Sequence, residues 1–465
     1  MPTIYSPSDG AFVAERSIAT DIEISDALAN AYDGQKHWQL TELSERAKIC
    51  QKAIDWFTEN QDLLAQEISL LMGRPIQYAK GEIAGVKERA EYMISIAEEA
   101  LKDSHPTLED SSVYKRLIRR VPLGTAFIIA PWNYPYLTAI NSIIPALMAG
   151  NSVILKHASQ TLLCAEQFDQ AFKAAGLPAG IFQYLHLDHS QTLEVIQRDD
   201  INFVSFTGSV PAGRIIEQAL AGKFKPLALE LGGKDPAYVR ADADLANSIE
   251  SLADGAFFNS GQSCCGIERI YVAEEIFSEF VKGFITETKK LIIGHALDPT
   301  TSLGPMINQQ AIAHAKQQIQ GAIASGAITH IEEQDFELNE TLMQQGNYCI
   351  PQVLTQIKQD MVIMQEESFA PIIGIMPVSS DEEALRYIND SDFGLTASIW
   401  TQDESAFMDL SAEVQSGTVF MNRCDYLDPS LPWSGLKGSG RGCSLSHLAY
   451  QQLTRPQSIH IKRLT

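Results

Sequence analysis

An unbroken strand–helix alternation across the second quarter of the chain limits the fold more than any other feature. Ala126-Phe127-Ile128-Ile129-Ala130 reads as a buried strand, and Asn141 to Met148 as a helix ending at Ala149-Gly150-Asn151. Ser152-Val153-Ile154-Leu155-Lys156 is the next strand, and Gln160 to Ala175 a helix closed by Gly176. Phe182-Gln183-Tyr184-Leu185 and Asn202-Phe203-Val204-Ser205-Phe206 follow as strands, with a helix from Ala212 to Leu220. A repeated βα pattern predicts a parallel sheet able to bind a dinucleotide at its strand ends. No GxGxxG is present to name such a ligand. In its place stands Phe206-Thr207-Gly208-Ser209-Val210-Pro211-Ala212-Gly213, where a strand meets a helix. Gly208 permits close backbone approach, and the helix start offers free amides to a pyrophosphate. Alone, the segment reads equally as a turn.

A second α/β unit begins near Gly233, with the strand Arg269-Ile270-Tyr271-Val272 and a helix from Ile276 to Leu291. Lys115 to Leu123 and Ser458-Ile459-His460-Ile461-Lys462 alternate like half-exposed strands, whereas the acidic, Gln-rich run Ile331 to Gln345 reads as a surface loop. A length of 465 residues suggests two or three domains. The net charge of −23 argues against nucleic acid or an anionic membrane surface as partner, since both need a basic footprint. No apolar run reaches the ~18 residues that span a bilayer, and the start Met1-Pro2-Thr3-Ile4 carries no secretory pattern. The seven cysteines are odd in number and form no CxxC, so neither a disulfide framework nor a metal site is expected. A reducing, cytoplasmic setting fits, and it keeps thiols available.

Three segments carry chemistry. Asn259-Ser260-Gly261-Gln262-Ser263-Cys264-Cys265 offers a thiol, Leu229-Glu230-Leu231-Gly232-Gly233-Lys234 a carboxylate, and Pro131-Trp132-Asn133-Tyr134-Pro135 an amide. A nucleophile, a base for water and an oxyanion donor together form an acyl-chemistry set. Each alone has an ordinary structural reading: a small buried hydrophobe, an exposed strand residue, a turn. Further segments follow in order: Ser205-Phe206-Thr207-Gly208-Ser209, Glu366-Glu367-Ser368-Phe369-Ala370-Pro371, Asn389 with Phe393-Gly394-Leu395-Thr396-Ala397, and Asn422 with Pro432-Trp433-Ser434-Gly435-Leu436-Lys437-Gly438-Ser439-Gly440. In wording and order they resemble the NAD(P)-dependent aldehyde dehydrogenase superfamily.

The resemblance implies an α/β fold with a Rossmann-type cofactor domain (1–103 and 123–232) and an α/β catalytic domain (233–438). It also implies a small β oligomerisation arm with the C-terminal tail (104–122 and 439–465), and hence a homodimer or homotetramer. Packing of both arm segments on their own subunit is the alternative. A free aldehyde cannot release hydride without leaving an acylium cation. Thiolate addition solves this by forming a thiohemiacetal that collapses to a thioester. By the family pattern Cys264 takes that role. Cys265, equally eligible on wording alone, becomes a packing residue beside it. Asn133 and the Cys264 backbone amide resemble the oxyanion donors. Glu230 resembles the base that activates water, and its neighbours Leu229 and Leu231 should raise its pKa. Its presence sets the chain apart from relatives that pass the acyl group to coenzyme A.

For NAD or NADP, Lys156 resembles the adenine-ribose contact, Glu367 the nicotinamide-ribose contact, and Phe369 and Trp132 the ring neighbours, with Gly208 and Ser209 at the pyrophosphate. Ser159 stands where NAD-preferring members carry a glutamate, so NADP is expected to be tolerated or preferred. Succinate semialdehyde dehydrogenases hold the substrate carboxylate with arginines at positions that align with Asn141 and Phe258. Without them, Tyr134, Leu137, Phe258, Cys265 and Trp433 are expected to form a largely apolar tunnel with Asp425 near its mouth, Arg423 offsetting its charge. That favours a neutral aliphatic or aromatic aldehyde. A charged semialdehyde, or a non-redox thiol esterase or acyltransferase, are the alternatives.

Overall fold

The computed structural model describes residues 1–106 and 113–464, so part of the segment assigned to the arm, 107–112, lies outside the described residues, as does Thr465. Its first sheet contains β1 (Thr125–Ala130), β2 (Ser152–His157), β3 (Phe182–Tyr184), β4 (Phe203–Thr207) and β5 (Leu227–Glu230). These five are parallel, in the order β3-β2-β1-β4-β5. The strand order reverses between β1 and β4, and the crevice outside their carboxyl ends is where such sheets bind ligands. The apolar run of β1 has a simple cause. Ile128 and Ala130 face one core while Phe127 and Ile129 face another, so both faces of the strand are buried.

The second sheet contains β6 (Asp235–Val239), β7 (Ile267–Ala273), β8 (Ile328–Thr329), β9 (Gln352–Thr355), β10 (Ile372–Val378), β11 (Thr396–Trp400) and β12 (Thr418–Met421), in the order β8-β9-β10-β7-β6-β11-β12. Only β8 runs antiparallel. A late strand, β13 (Gly440–Arg441), returns to pair antiparallel with Leu229 and Glu230 on β5, so the chain's end braces the strand carrying the carboxylate. Tyr114–Pro122 and Thr454–Lys462 pair along their whole length as a two-stranded ribbon. Among the described residues no helix is long and apolar enough to cross a membrane.

Two expectations need correction. The helix read from Asn141 starts at Pro135, giving a helix α2 (Pro135–Met148) behind a longer helix α1 (Ile76–Leu101). Proline suits the first helical position, and Glu82 of α1 accepts from the free amides of Tyr136 (2.8 Å) and Leu137 (3.0 Å). The run 331–345 is not a plain surface loop. It holds a 3-10 turn (Glu333–Asp335) and a helix (Glu340–Gln345), and Phe336, Leu338, Leu342 and Met343 pack on the second sheet's core.

Asn151 ties three segments together. Its side-chain oxygen accepts from the amides of Leu123 (2.7 Å) and Gly124 (3.0 Å), and its nitrogen donates to the carbonyls of Ala146 (3.2 Å) and Leu453 (2.9 Å). All these groups lose water in the fold. Asn151→Ala should therefore lower unfolding free energy by about 2–4 kcal/mol, read from the urea midpoint.

Candidate active site

Two cavities share three lining residues, Glu230, Leu231 and Cys264. One, of about 430 Å³, lies between α1, α2 and the loop after β12; the other, of about 440 Å³, lies along the carboxyl ends of β1, β2, β4 and β5. Cys264 and Glu230 line both.

The nucleophile loop is held in a costly conformation. Asn259 and Ser260 adopt left-handed φ of 53° and 58°, followed by Gly261 at 69°. A β-carbon on Gly261 would lie 2.3 Å from the Ala370 carbonyl oxygen, so glycine is required there. Gln262 pins the turn, donating to the Asn259 carbonyl (3.1 Å) and accepting from the Ile307 amide (2.8 Å). The Gln262 carbonyl accepts from the Asn259 side chain (3.1 Å) and from Asn133 Nδ2 (3.2 Å). Asn133 is thus fixed two residues from Cys264, and its second Nδ2 hydrogen is outside that bond. Arg74 completes the brace: Nε donates to Asn259 Oδ1 (3.1 Å), Nη2 to the Asn133 carbonyl (2.6 Å), and Nη1 pairs with Glu82.

Cys264 and Cys265 occupy different surroundings. Cys264 is partly exposed in the shared space, whereas Cys265 is buried and donates to Asp425 Oδ1 at 2.9 Å. Hydrogen bonding to Cys264, then burial and the Asp425 charge, push the Cys265 thiol well above its usual range. Cys265 therefore stays a neutral thiol, leaving Cys264 as the available nucleophile.

Glu230 ends β5 with Oε2 accepting from Thr207 Oγ1 at 3.1 Å. Burial raises its pKa, and the Arg89 charge opposes that rise. In its ionised form this carboxylate can take a proton from water, and the raised pKa makes it a stronger base than a solvated glutamate.

The dinucleotide cleft gathers Trp132, Asn133, Lys156, Ser159, Gly208, Ser209, Glu367 and Phe369. Burial draws the Lys156 pKa down. Ser209 caps the helix Val210–Leu220 and, with Gly208, lines the crevice at the helix start. Phe369 meets Trp132 edge to face, with centroids 5.6 Å apart. Glu367 Oε1 accepts from the Gly233 amide at 3.0 Å, and a β-carbon on Gly232 would sit 2.2 Å from that oxygen. Burial, then the Glu268 charge, push the Glu367 carboxyl up to about 8. The bare backbone at Gly232, the helix start and the strand-end lysine form a cradle that fits a pyrophosphate-linked dinucleotide.

The first cavity is lined by Tyr134, Leu137, Phe258, Cys265, Asp425 and Trp433, and most of its surface is apolar, with charged groups set into one wall. Arg74, Glu82, Glu88 and Arg89 also face it, all from α1 or the turn before it. Asp425 is partly exposed; its Oδ1 accepts from Ser263 Oγ (3.1 Å) and Cys265 Sγ (2.9 Å), and burial of the carboxyl pushes it up to about 6. Arg423 does not offset it; that side chain is exposed and stacks on Tyr426, 4.0 Å from the ring centroid. The charges acting on Asp425 are those of Asp254, which raises its pKa further, and Arg74, which lowers it. Sequence reading missed Arg74, Glu82 and Arg89. The available signal was a helix whose buried face, Ala79, Glu82, Ile83, Val86, Arg89, Ala90 and Met93, carries two charges at a spacing of two turns.

The aldehyde dehydrogenase family model matches residues 2–459. The chain belongs to the aldehyde dehydrogenase family. It is 32% identical over 442 residues to the succinate semialdehyde dehydrogenase [NAD(P)+] Sad of Escherichia coli (strain K12), covering 95% of this chain and 94% of that protein. It is equally 32% identical to succinate-semialdehyde dehydrogenase [NADP(+)] 1 of Mycobacterium bovis (strain BCG / Pasteur 1173P2), covering 95% of each. Among solved structures, succinic semialdehyde dehydrogenase from Streptococcus pyogenes with NADP+ superposes with a TM-score of 0.94, at 27% identity and full coverage of both chains.

This aldehyde dehydrogenase is thus an NAD(P)-dependent oxidoreductase. NAD(P)+, when bound, supplies the hydride acceptor. The geometry supports a division of the remaining work among the chain's own residues: Cys264 Sγ for the carbonyl carbon, Asn133 for the oxyanion, Glu230 for the hydrolytic water. Cys264→Ala should abolish NAD(P) reduction. Asn133→Ala should lower kcat ~10²-fold, the usual effect of losing one oxyanion donor. Glu230→Gln should accumulate a thioester, seen by mass spectrometry as a mass increase on the Cys264 peptide.

Proposed function

We propose that this enzyme oxidises a short aldehyde bearing a distal carboxylate, of the succinate semialdehyde type, to the dicarboxylic acid. The observation that carries the reading is Arg89. It is 7% exposed, yet among the described residues its hydrogen bonds run only from Nη1, to the Leu137 carbonyl and Asn141 Oδ1, both at 3.3 Å. It forms no ion pair with a carboxylate among those residues, and burial draws its pKa down. A guanidinium taken out of water without an anionic partner is costly, and a substrate carboxylate would restore that partner with a two-pronged bond. Arg89 also stands close enough for Cys265, Glu230 and Cys264 to feel its charge. A carboxylate docked there leaves only a short carbon chain to the nucleophile.

The names of the relatives point the same way, towards semialdehydes rather than the neutral aldehydes that an apolar tunnel would select. Arg89 is adjacent to Asn141, so the cation comes from α1 instead of the position at which the sequence lacks it. For the cofactor, the neutral Ser159 beside Lys156 supports use of NADP+ as well as NAD+, in keeping with the relatives named for NADP. The ribbon Tyr114–Pro122/Thr454–Lys462 is proposed to pair with a second copy of the chain, because two strands alone bury too little.

Kinetics with succinate semialdehyde and butanal test the reading. We expect kcat/KM to favour the carboxylated aldehyde by at least ~10²-fold, and Arg89→Gln to remove most of that preference while changing butanal turnover less than about threefold. Equal kcat/KM for the two aldehydes would overturn it. Because Asp425 ionises near 6, its negative charge develops as pH rises through that value. KM for succinate semialdehyde should therefore climb between about pH 5 and 7 while that for butanal stays level, and Asp425→Asn should flatten the climb.

A further inference from the structure

Beneath the junction of the two cavities lies a buried ion pair to which no role has yet been given. Lys234 Nζ and Glu268 Oε2 are 2.6 Å apart, and the two residues are 1% and 5% exposed. Glu268 does more than pair with the lysine. Its Oε2 also accepts from the Ser368 amide (2.7 Å), and its Oε1 from the Phe369 amide (2.8 Å). Lys234 Nζ donates a second time, to Ser368 Oγ (2.9 Å), which donates on to Gln318 Oε1 (2.6 Å). Gln318 and His314 then reach the Glu367 carbonyl, the histidine at 3.2 Å.

The three segments that meet here matter to the reaction. Lys234 follows Glu230 by four residues, Glu268 follows Cys264 by four, and Ser368 lies between Glu367 and Phe369. One carboxylate therefore fastens the loop facing the dinucleotide cleft to the strands leaving the base and the nucleophile. The fastening acts against a local preference, because Phe369 holds a left-handed φ of 48° that side-chain-bearing residues disfavour. In that conformation its ring meets Trp132, and the Glu367 carboxylate lies over Gly232 and Gly233.

We infer that Glu268 is a positioning residue for the cofactor: by accepting both the Ser368 and Phe369 amides it fixes Glu367 and Phe369 where the nicotinamide half of NAD(P) binds, without touching the aldehyde site. An ionised carboxylate suits the task because both oxygens accept. A glutamine in its place presents one oxygen and one amide, so one backbone N–H would face another donor. The inference is independent of which aldehyde the enzyme prefers.

The experiment compares Glu268→Gln and the shorter, still charged Glu268→Asp with the parent enzyme. With succinate semialdehyde or butanal as substrate, Glu268→Gln should raise KM for NADP+ and NAD+ at least ~10-fold and lower kcat, with aldehyde KM unchanged within about twofold. Glu268→Asp keeps the charge opposite Lys234 but falls short of both amides, and should give a rise of about threefold to tenfold. The cofactor-free rate of Cys264 alkylation by iodoacetamide, followed on its peptide by mass spectrometry, should stay within about twofold of the parent in both variants. Quenching of tryptophan fluorescence by NADP+ should shift to higher concentration in step with KM. If cofactor KM is unchanged in Glu268→Asp, or if alkylation and aldehyde KM deteriorate alongside cofactor KM, the role is general structural support and the inference fails. Should Glu268→Gln not fold, the aspartate variant alone decides.

Discussion

The arrangement of the reacting groups depends on the buried pairing of Arg74 with Glu82. Neither charge would be tolerated there alone, and each is saturated by backbone as well as by its partner. Glu82 holds the first amides of α2, which fixes where Tyr134 and Asn133 enter the site. Arg74 holds the Asn133 carbonyl and the Asn259 side chain, and its guanidinium covers the Tyr134 ring at 4.2 Å. The amide donor and the nucleophile loop are thereby referenced to the same helix. Removing either charge would leave the other unpaired in the interior, a change expected to cost several kcal/mol.

Against that saturated arginine, Arg89 stands out. Two guanidiniums, one from the turn before α1 and one from the middle of α1, face one cavity. One has its nitrogens committed to protein acceptors and the other has bonds from a single nitrogen. The first is architecture. The second is the one on which the proposed substrate carboxylate would rest, because an arriving anion would restore the partner that burial leaves out.

Much of the scaffold was legible because local patterns and tertiary burial agree. The run Ala126–Ala130 reads as a buried strand and is one, since neighbouring cores cover both its faces. The start of α2 was misread because Pro135 looks like a breaker, and the carboxylate that makes its helix start favourable comes from residue 82. The residues that the motifs nominated do gather at two adjoining cavities. The charges set into the wall of the substrate cavity were not legible. Arg89 sits on α1, about fifty residues before its acceptors on α2, and nothing local distinguishes it from a solvated helix cation. Asp425 posed the opposite difficulty: a polar run around a left-handed residue reads as exposed, whereas the fold turns its carboxylate inward against Cys265.

The shared lining of the two cavities constrains the chemistry further. Cys264 is the point at which one space ends and the other begins, so a carbonyl carbon bonded to its sulfur has the aldehyde's chain on one side and the dinucleotide cleft on the other. Hydride must then leave away from the chain, towards the cleft that Phe369 and Trp132 border. Glu230 also belongs to both spaces, and its carboxylate would crowd the departing hydride if it pressed against the same carbon. Its bond to Thr207, its cross-strand neighbour on β4, instead holds it at the cleft wall. In the proposed reading, the reacting carbon faces this cleft throughout while the substrate's carboxylate end stays docked on Arg89.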